Sequence, residues 1–89
     1  MRAVITVIGK DTVGILASVA DKCARSNINV LEVTQSILQD LFAMIMLVDI
    51  SESTKEFTAF ADELTALGKE KNLSIHTMHE DIFNAMHTI

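Results

Sequence analysis

The residues best suited to bind a small molecule lie where an apolar, β-rich run ending at Ile8 meets a helical pattern that begins at Gly14. Glycine has no Cβ, so another group can approach its backbone closely. The first turn of a helix also presents N–H groups without intrahelical partners, and these favour an anion such as a carboxylate. This junction could therefore hold a ligand through its main chain, without a catalytic side chain.

The polar residues near this junction also have purely structural explanations. Gly14 would equally allow tight packing of the helix against the strand. Asp11 could meet the ammonium group of a ligand, but an Asx turn or a helix cap is the simpler role. Asn27 and Asn29 could both donate hydrogen bonds to an amino acid and accept them from it. Helix termination alone would account for Asn27.

The histidines and the cysteine do not form a catalytic or metal-binding pattern. His76 and His79 are three residues apart in a predicted strand, so they point to opposite faces. His87 could join one of them only if the C-terminal segment folds back, and no second cysteine accompanies them. Cys23 lies on the apolar side of a predicted helix, which is typical of an inert buried thiol. We therefore predict no catalytic residue, no bound metal and no cofactor.

The composition indicates one globular domain and excludes several classes of partner. The chain has 89 residues, of which 49% are hydrophobic and 21% charged. Its 7 Lys and Arg residues against 12 Asp and Glu residues argue against binding to nucleic acid or to an anionic membrane surface. No apolar run is long enough to span a bilayer, and we see no signal peptide. A single cysteine fits a reducing compartment, so we predict a cytoplasmic location.

Hydrophobic periodicity predicts four strands and three helices. In chain order we predict a strand at 3–8, a helix at 14–26, strands at 28–38 and 42–50, a helix that ends near Lys71, a strand at 73–78 and a short helix at 80–88. The order of the first six elements is that of a ferredoxin-like βαββαβ sandwich of the α+β class. We expect a four-stranded antiparallel sheet with two helices on one face and with the first and third strands at its centre.

Short polar residues predict where the helices begin and end. Ser53 with Glu56 three residues later is typical of a capping box before the second helix. Asn27 and Asn72 are expected to end the first and second helices, because asparagine tolerates the left-handed conformation.

The sheet face without helices is predicted to need a cover. Methionine most often fills gaps in a core. The third strand is apolar on both sides, however, and we expect Met44 and Met46 to lie on the face that the helices leave open. A second copy of the chain, or the terminal helix folding back, would cover that face.

At the first junction the chain resembles the ACT domain family, a small ferredoxin-like ligand-binding module. Residues 11–17 read D-T-V-G-I-L-A, close to the family pattern D-x-x-G-[IL]-[IL]-A, and N-I at residues 27–28 leads into the second strand. The resemblance covers about residues 1–79. Residues 80–89 are expected to form a helical extension, similar to the tail of small stand-alone bacterial members. Relatives of these members include the repressor of the glycine cleavage system.

The resemblance implies a regulatory function rather than catalysis. ACT domains pair, and small effectors, often amino acids, bind at the interface between subunits. Carried over to this chain, the ligand-binding residues are Asp11, Thr12, Val13, Gly14, Ile15, Asn27 and Asn29. Many members have a basic residue and a proline where this chain has Thr12 and Val13. That difference reduces preorganisation but keeps the backbone donors.

We therefore expect a homodimer or larger homo-oligomer that binds an amino acid and signals to a separate protein partner. A structural oligomerisation module without a ligand remains an alternative. A small acylphosphatase-like enzyme is less favoured, because that chemistry needs an arginine in the first loop and residues 9–14 contain only Lys10. An RNA-recognition module would need exposed aromatic residues, and the two central strands offer only Phe42.

Overall fold

The computed structural model describes residues 1–10 and 14–87, without the side chains of Leu38 and His87. The elements in chain order are β1 (Arg2–Gly9), α1 (Ile15–Arg25), β2 (Asn29–Leu38), β3 (Leu41–Asp49), α2 (Phe57–Lys71), β4 (Ser74–His79) and α3 (Glu80–His87). This order confirms the predicted βαββαβ arrangement and the short C-terminal helix.

The four strands form one antiparallel sheet in the order β2-β3-β1-β4. β1 and β3 are central, as their apolar composition predicted. At one end of the sheet Arg2 pairs with Asp49, which also pairs with Asn29; we call this the Arg2 end. At the other end, the Gly9 end, Gly9 pairs with Phe42.

The hydrophobic core lies between one face of the sheet and the helices α1 and α2. Alternate residues of each central strand point into this layer, because successive side chains of a strand face opposite sides. The core members from β1 and β3 are Ala3, Ile5, Val7, Phe42, Met44, Met46 and Val48. The helices contribute Ile15, Val19, Cys23, Phe60, Leu64 and Leu67.

Met44 and Met46 lie in this core, so the expectation that they occupy the face without helices was wrong. Both are 0% exposed, and they pair with the core residues Val7 and Ile5. The sequence could not assign the face, because both alternate sets of β3 are apolar. The residues that do face away from α1 and α2, on what we call the open face, include Val4, Thr6, Ile8, Ala43, Ile45, Leu47, His76 and Met78.

Helix α3 folds back over part of the open face. Its Phe83 and Met86 lie opposite Ile8 and Met78, above strands β1 and β4. Val4, at the centre of this strip, is only 3% exposed. Over β3 the open face is less covered, and Ile45 is 39% exposed. The terminal helix thus supplies part of the cover that the apolar open face requires.

The predicted ends of α1 and α2 are confirmed, but the predicted capping box is not. Asn27 and Asn72 adopt left-handed φ values of 57° and 64° just after these helices. The hydroxyl of Ser53 accepts a hydrogen bond from the Lys55 N–H and donates one to the Lys55 carbonyl, so it closes a local turn. Glu56 is the N-cap of α2 and makes no side-chain capping bond.

α2 is the longest helix in the described part of the chain, at 15 residues. None of the helices described has both the length and the apolar character that a bilayer crossing requires.

Candidate functional site

Gly14 is the N-cap of α1 and adopts a left-handed backbone conformation, with φ 74° and ψ 3°. Apart from its chain neighbours, no described residue has an atom within 4 Å of a Cβ added to it. Tight packing of the helix against β1 therefore does not explain this glycine, whereas its positive φ does, because other residues are strained there. The space beside the start of α1 is open.

Close packing is instead the role of Gly9, which the sequence did not distinguish from Gly14. A Cβ on Gly9 would lie 1.9 Å from the Cδ2 atom of Leu73. Gly9 therefore lets the residue before β4 close over the end of β1, at the same end of the sheet as Gly14.

Among the described residues, no side chain caps the first turn of α1. Gly14 has no side chain with which to cap the turn, and no acidic residue lies within the turn. The first intrahelical bond runs from Ser18 N–H to the Gly14 carbonyl at 2.9 Å, so the amides before Ser18 are outside the helical ladder. The side chain of Ile15 is 2% exposed, so this residue can offer a ligand only its backbone. Three further predicted site residues, Asp11, Thr12 and Val13, lie outside the described residues.

Asn27 has a structural role that explains its presence without a ligand. Its side-chain amide donates to the carbonyl of Glu52 at 3.0 Å. Next to it, Thr54 N–H donates to the Ser26 carbonyl at 2.9 Å. These two bonds join the turn after α1 to the loop between β3 and α2.

The structure does not bring Asn27 and Asn29 next to Gly14 within one chain. Asn29 pairs with Asp49 at the Arg2 end of the sheet, whereas Gly14 follows β1 at the Gly9 end. The 11 residues of α1 lie between them and span about 16 Å at the usual helical rise. A ligand that contacts both Gly14 and Asn29 therefore requires two copies of the chain.

Strand β2 presents an edge suited to contact with such a second copy. It lies at the edge of the sheet, so one row of its backbone donors and acceptors has no strand beside it. Apolar side chains along this edge are exposed: Leu31 at 45%, Ile37 at 73% and the neighbouring hairpin residue Leu41 at 40%. A register shift between Val30 and Glu32 interrupts the ladder with β3 near Leu31.

The titratable groups of the described residues form structural contacts. Burial raises the pKa of the Cys23 thiol to about 11, so the thiol is neutral at physiological pH and a poor nucleophile. A hydrogen bond from Lys55 lowers the pKa of Glu63, which also pairs with Lys22 at 3.6 Å. Since Glu63 is in α2 and Lys22 in α1, this cluster ties the two helices and the preceding loop together.

The two described histidine side chains lie on opposite faces, as their spacing predicted. His76 pairs with Thr6 on the open face. His79 pairs with Ala3 on the helix-covered face, and its ring stacks on Phe57 with the centroids 4.1 Å apart. Within residues 1–10 and 14–87, no group of three His, Cys, Asp or Glu side chains has a geometry that could hold a metal ion.

The ferredoxin-like sandwich described above is the architecture of the ACT domain, which is a regulatory ligand-binding kind of fold. The family model of the ACT domain matches residues 2–78. The chain belongs to the ACT domain family.

Similarity to known proteins extends over the whole chain. UPF0237 protein lin0537 from Listeria innocua is 53% identical over 89 residues, which is 100% of each chain. The structure of an ACT domain protein from Streptococcus pneumoniae matches with a TM-score of 0.80 and 36% identity, covering 93% of each chain. A putative glycine cleavage system transcriptional repressor has the same fold, with a TM-score of 0.67 and 22% identity over 85% of this chain and 43% of its own.

Proposed function

We propose that this chain is a non-catalytic regulatory domain that binds an amino acid at a site shared between two copies. The observation that carries the proposal is the start of α1. There a glycine with φ 74° leaves open space beside a first turn that no described side chain caps. A carboxylate is the ligand group that such a turn favours, because it satisfies the free amides and the positive end of the helix dipole.

Pairing through β2 would complete the site. β2 runs from the Arg2 end of the sheet to the Gly9 end. If two copies pair antiparallel through this strand about a two-fold axis, the Arg2 end of one copy lies beside the Gly9 end of the other. Gly14 of one copy would then be near Asn29 of the partner subunit, which the single chain holds apart. Burial of Leu31 and Ile37 would stabilise the pair.

The proposed ligand contacts follow from the chemistry of the two ends. The carboxylate accepts hydrogen bonds from the backbone amides at Ile15 and Leu16. The ammonium group donates to the side-chain oxygen of Asn29 of the partner subunit. Asp11, the acidic residue among the candidates, would add a charge-assisted contact to the ammonium group.

Catalysis receives no support from the described residues. The thiol of Cys23 is buried and neutral. Acylphosphatase chemistry needs an arginine, whereas the first loop has Lys10, an exposed side chain whose Nζ lies 3.6 Å from Asp40 Oδ2. We place the function in the cytoplasm, with the response passed to an unidentified protein partner or to self-association.

A structural oligomerisation module without a ligand is the second candidate, because the exposed β2 edge alone would account for pairing.

A melting-temperature screen with each proteinogenic amino acid tests the proposal. A ligand at 100 times its dissociation constant stabilises the native state by about 2.7 kcal/mol. For a domain of this size that corresponds to a rise of roughly 10–20 °C. Sedimentation of the wild type and of Ile37→Lys checks pairing, with Ile82→Lys as a control substitution on an exposed residue of α3.

The expected result is a selective shift with one amino acid or a few related ones, and loss of both the dimer and the shift in Ile37→Lys. A stable dimer that shows no shift with any amino acid would contradict ligand binding and favour the structural module.

A further inference from the structure

A second space suited to a ligand lies on the opposite side of the sheet, between α3 and the open face. It has a volume of about 420 Å³ and is lined by Thr6, Ile8, His76, Met78, Phe83 and Met86. Its walls come from β1, β4 and α3, whereas the candidate amino-acid site involves the start of α1 and the β2 edge. The two spaces share no residue.

Helix α3, which covers this cavity, is tied to β1 at its first residue. Arg2 makes a two-pronged ion pair with Glu80, with Nε–Oε1 at 3.0 Å and Nη2–Oε2 at 2.7 Å. The helix then runs only 8 residues, a length that is marginal without packing. Met86, near its far end, is 71% exposed although it borders the cavity. The space is open to solvent on one side, and its volume lies within the range of known ligand pockets.

The residues that line the cavity indicate which class of ligand it would bind. None of the six lining residues is a carboxylate, a lysine or an arginine, so these side chains offer a charged ligand little to offset its loss of hydration. Two thioethers and a phenyl ring favour an aromatic ring, because sulfur and aromatic groups attract one another at ring edges. The Thr6 hydroxyl donates to the His76 carbonyl at 3.5 Å and can still accept a hydrogen bond.

We propose that this cavity binds a small, neutral aromatic molecule that carries a single N–H or O–H donor. The ring lies between Met78 and Met86, and the donor meets the Thr6 hydroxyl oxygen or the imidazole of His76. A bound ring fills the space beneath α3 and holds the helix against the sheet. The cavity is thus a site independent of the amino-acid site.

Indole, a neutral bicyclic ring with one N–H donor, is a suitable probe. The chain has five methionines, and their methyl resonances, labelled with carbon-13, act as reporters in the intact protein. Met78 and Met86 border the cavity, whereas Met44 and Met46 are 0% exposed in the core on the other side of the sheet. We expect ring-current shifts of the Met78 and Met86 methyls that saturate with a common dissociation constant, while the other three stay fixed.

Two matched tryptophan variants on α3 test the location. Met86→Trp places an indole ring of the protein over the cavity and should weaken binding of free indole by about tenfold or more. Ile82→Trp introduces the same ring one turn earlier, where Ile82 is 52% exposed and does not line the cavity. It should change the affinity by less than about twofold. In Met86→Trp, thermal stability and the melting-temperature response to amino acids should both persist, which separates this test from that of the proposed function.

The proposal is overturned if no methyl shift saturates up to the solubility limit of indole. It is equally overturned if Met44 and Met46 shift together with Met78, or if the two tryptophan variants weaken indole binding alike.

Discussion

Replacing Gly14 by alanine isolates the cost of a left-handed backbone at the start of α1. Apart from the chain neighbours, no described residue has an atom within 4 Å of the added Cβ, so we expect no steric contact from the substitution. What remains is the conformational penalty of an L-residue at φ 74°, which is about 1–2 kcal/mol. For a domain of this size, a loss of that magnitude lowers the melting temperature by roughly 4–16 °C.

Urea and thermal unfolding of a four-variant set would measure this cost against a packing control. Asparagine tolerates left-handed φ better than alanine, so Gly14→Asn should be more stable than Gly14→Ala. Gly68 provides the contrast, because a Cβ there would lie 2.7 Å from the Leu73 carbonyl oxygen. At that buried helical position the larger side chain is worse, so Gly68→Asn should be less stable than Gly68→Ala.

The order of stability is therefore expected to reverse between the two positions. Equal stability of Gly14→Ala and wild type would refute the left-handed conformation as the reason for this glycine. A loss much greater than 2 kcal/mol in Gly14→Ala, with no recovery in Gly14→Asn, would show that some group packs against the helix start.

Three further predictions concern the two faces of the sheet, the buried thiol of Cys23 and the contact between Glu63 and Lys55. Met46→Ala should lower the free energy of unfolding in urea by about 2–5 kcal/mol, because the side chain is 0% exposed. Ile45→Ala should lower it clearly less, because Ile45 is 39% exposed. Equal losses would contradict the assignment of these residues to opposite faces. Cys23 is 0% exposed, and burial raises its pKa to about 11, so it should react with a thiol reagent at pH 8 only when the protein opens or unfolds. Rapid labelling of the native state would show that the thiol is accessible. A hydrogen bond from Lys55 lowers the pKa of Glu63 in the folded protein. The interaction therefore stabilises the fold at pH values above the usual glutamate pKa, and this stability is lost as the pH falls through the lowered pKa. Glu63→Gln should thus be less stable than wild type at pH 7, by under about 1 kcal/mol, with the gap closing in acid; a gap that is unchanged at low pH would exclude this linkage.

The order of elements followed from the sequence because local signals agreed with one another. Amphipathic helices, alternating strands and the terminating residues Asn27 and Asn72 each have local causes, and all point to one topology. The strands richest in apolar residues on both sides became the central ones, since both of their faces are at least partly covered.

The assignments that failed depended on information that a local pattern does not contain. Both alternate sets of β3 are apolar, so nothing local assigned Met46 to the helix side. Ser53 is compatible with a capping box and with a closed turn, and the start of α2 at Phe57 decided for the turn. Likewise, sequence alone did not separate Gly9, which packs, from Gly14, which supplies a positive φ.

The separation of Asn29 from Gly14 was the most consequential difference for the candidate site. A helix of 11 residues carries the chain from one end of the sheet to the other, so sequence proximity did not produce spatial proximity. Gly14 and Asn29 can therefore contact one ligand only across a subunit boundary, and this makes pairing part of the proposed mechanism.

A mixing experiment tests this shared site most directly. One variant carries Gly14→Val and the other carries Asn29→Ala, and each alone should fail to bind the amino acid that stabilises the wild type. After the two are mixed and allowed to exchange subunits, each mixed dimer has one site with both defects and one site with neither, so calorimetry should detect binding again at wild-type affinity. If the mixture stays inactive while mixed dimers form, the ligand does not lie between Gly14 of one copy and Asn29 of the partner subunit, and the account is wrong.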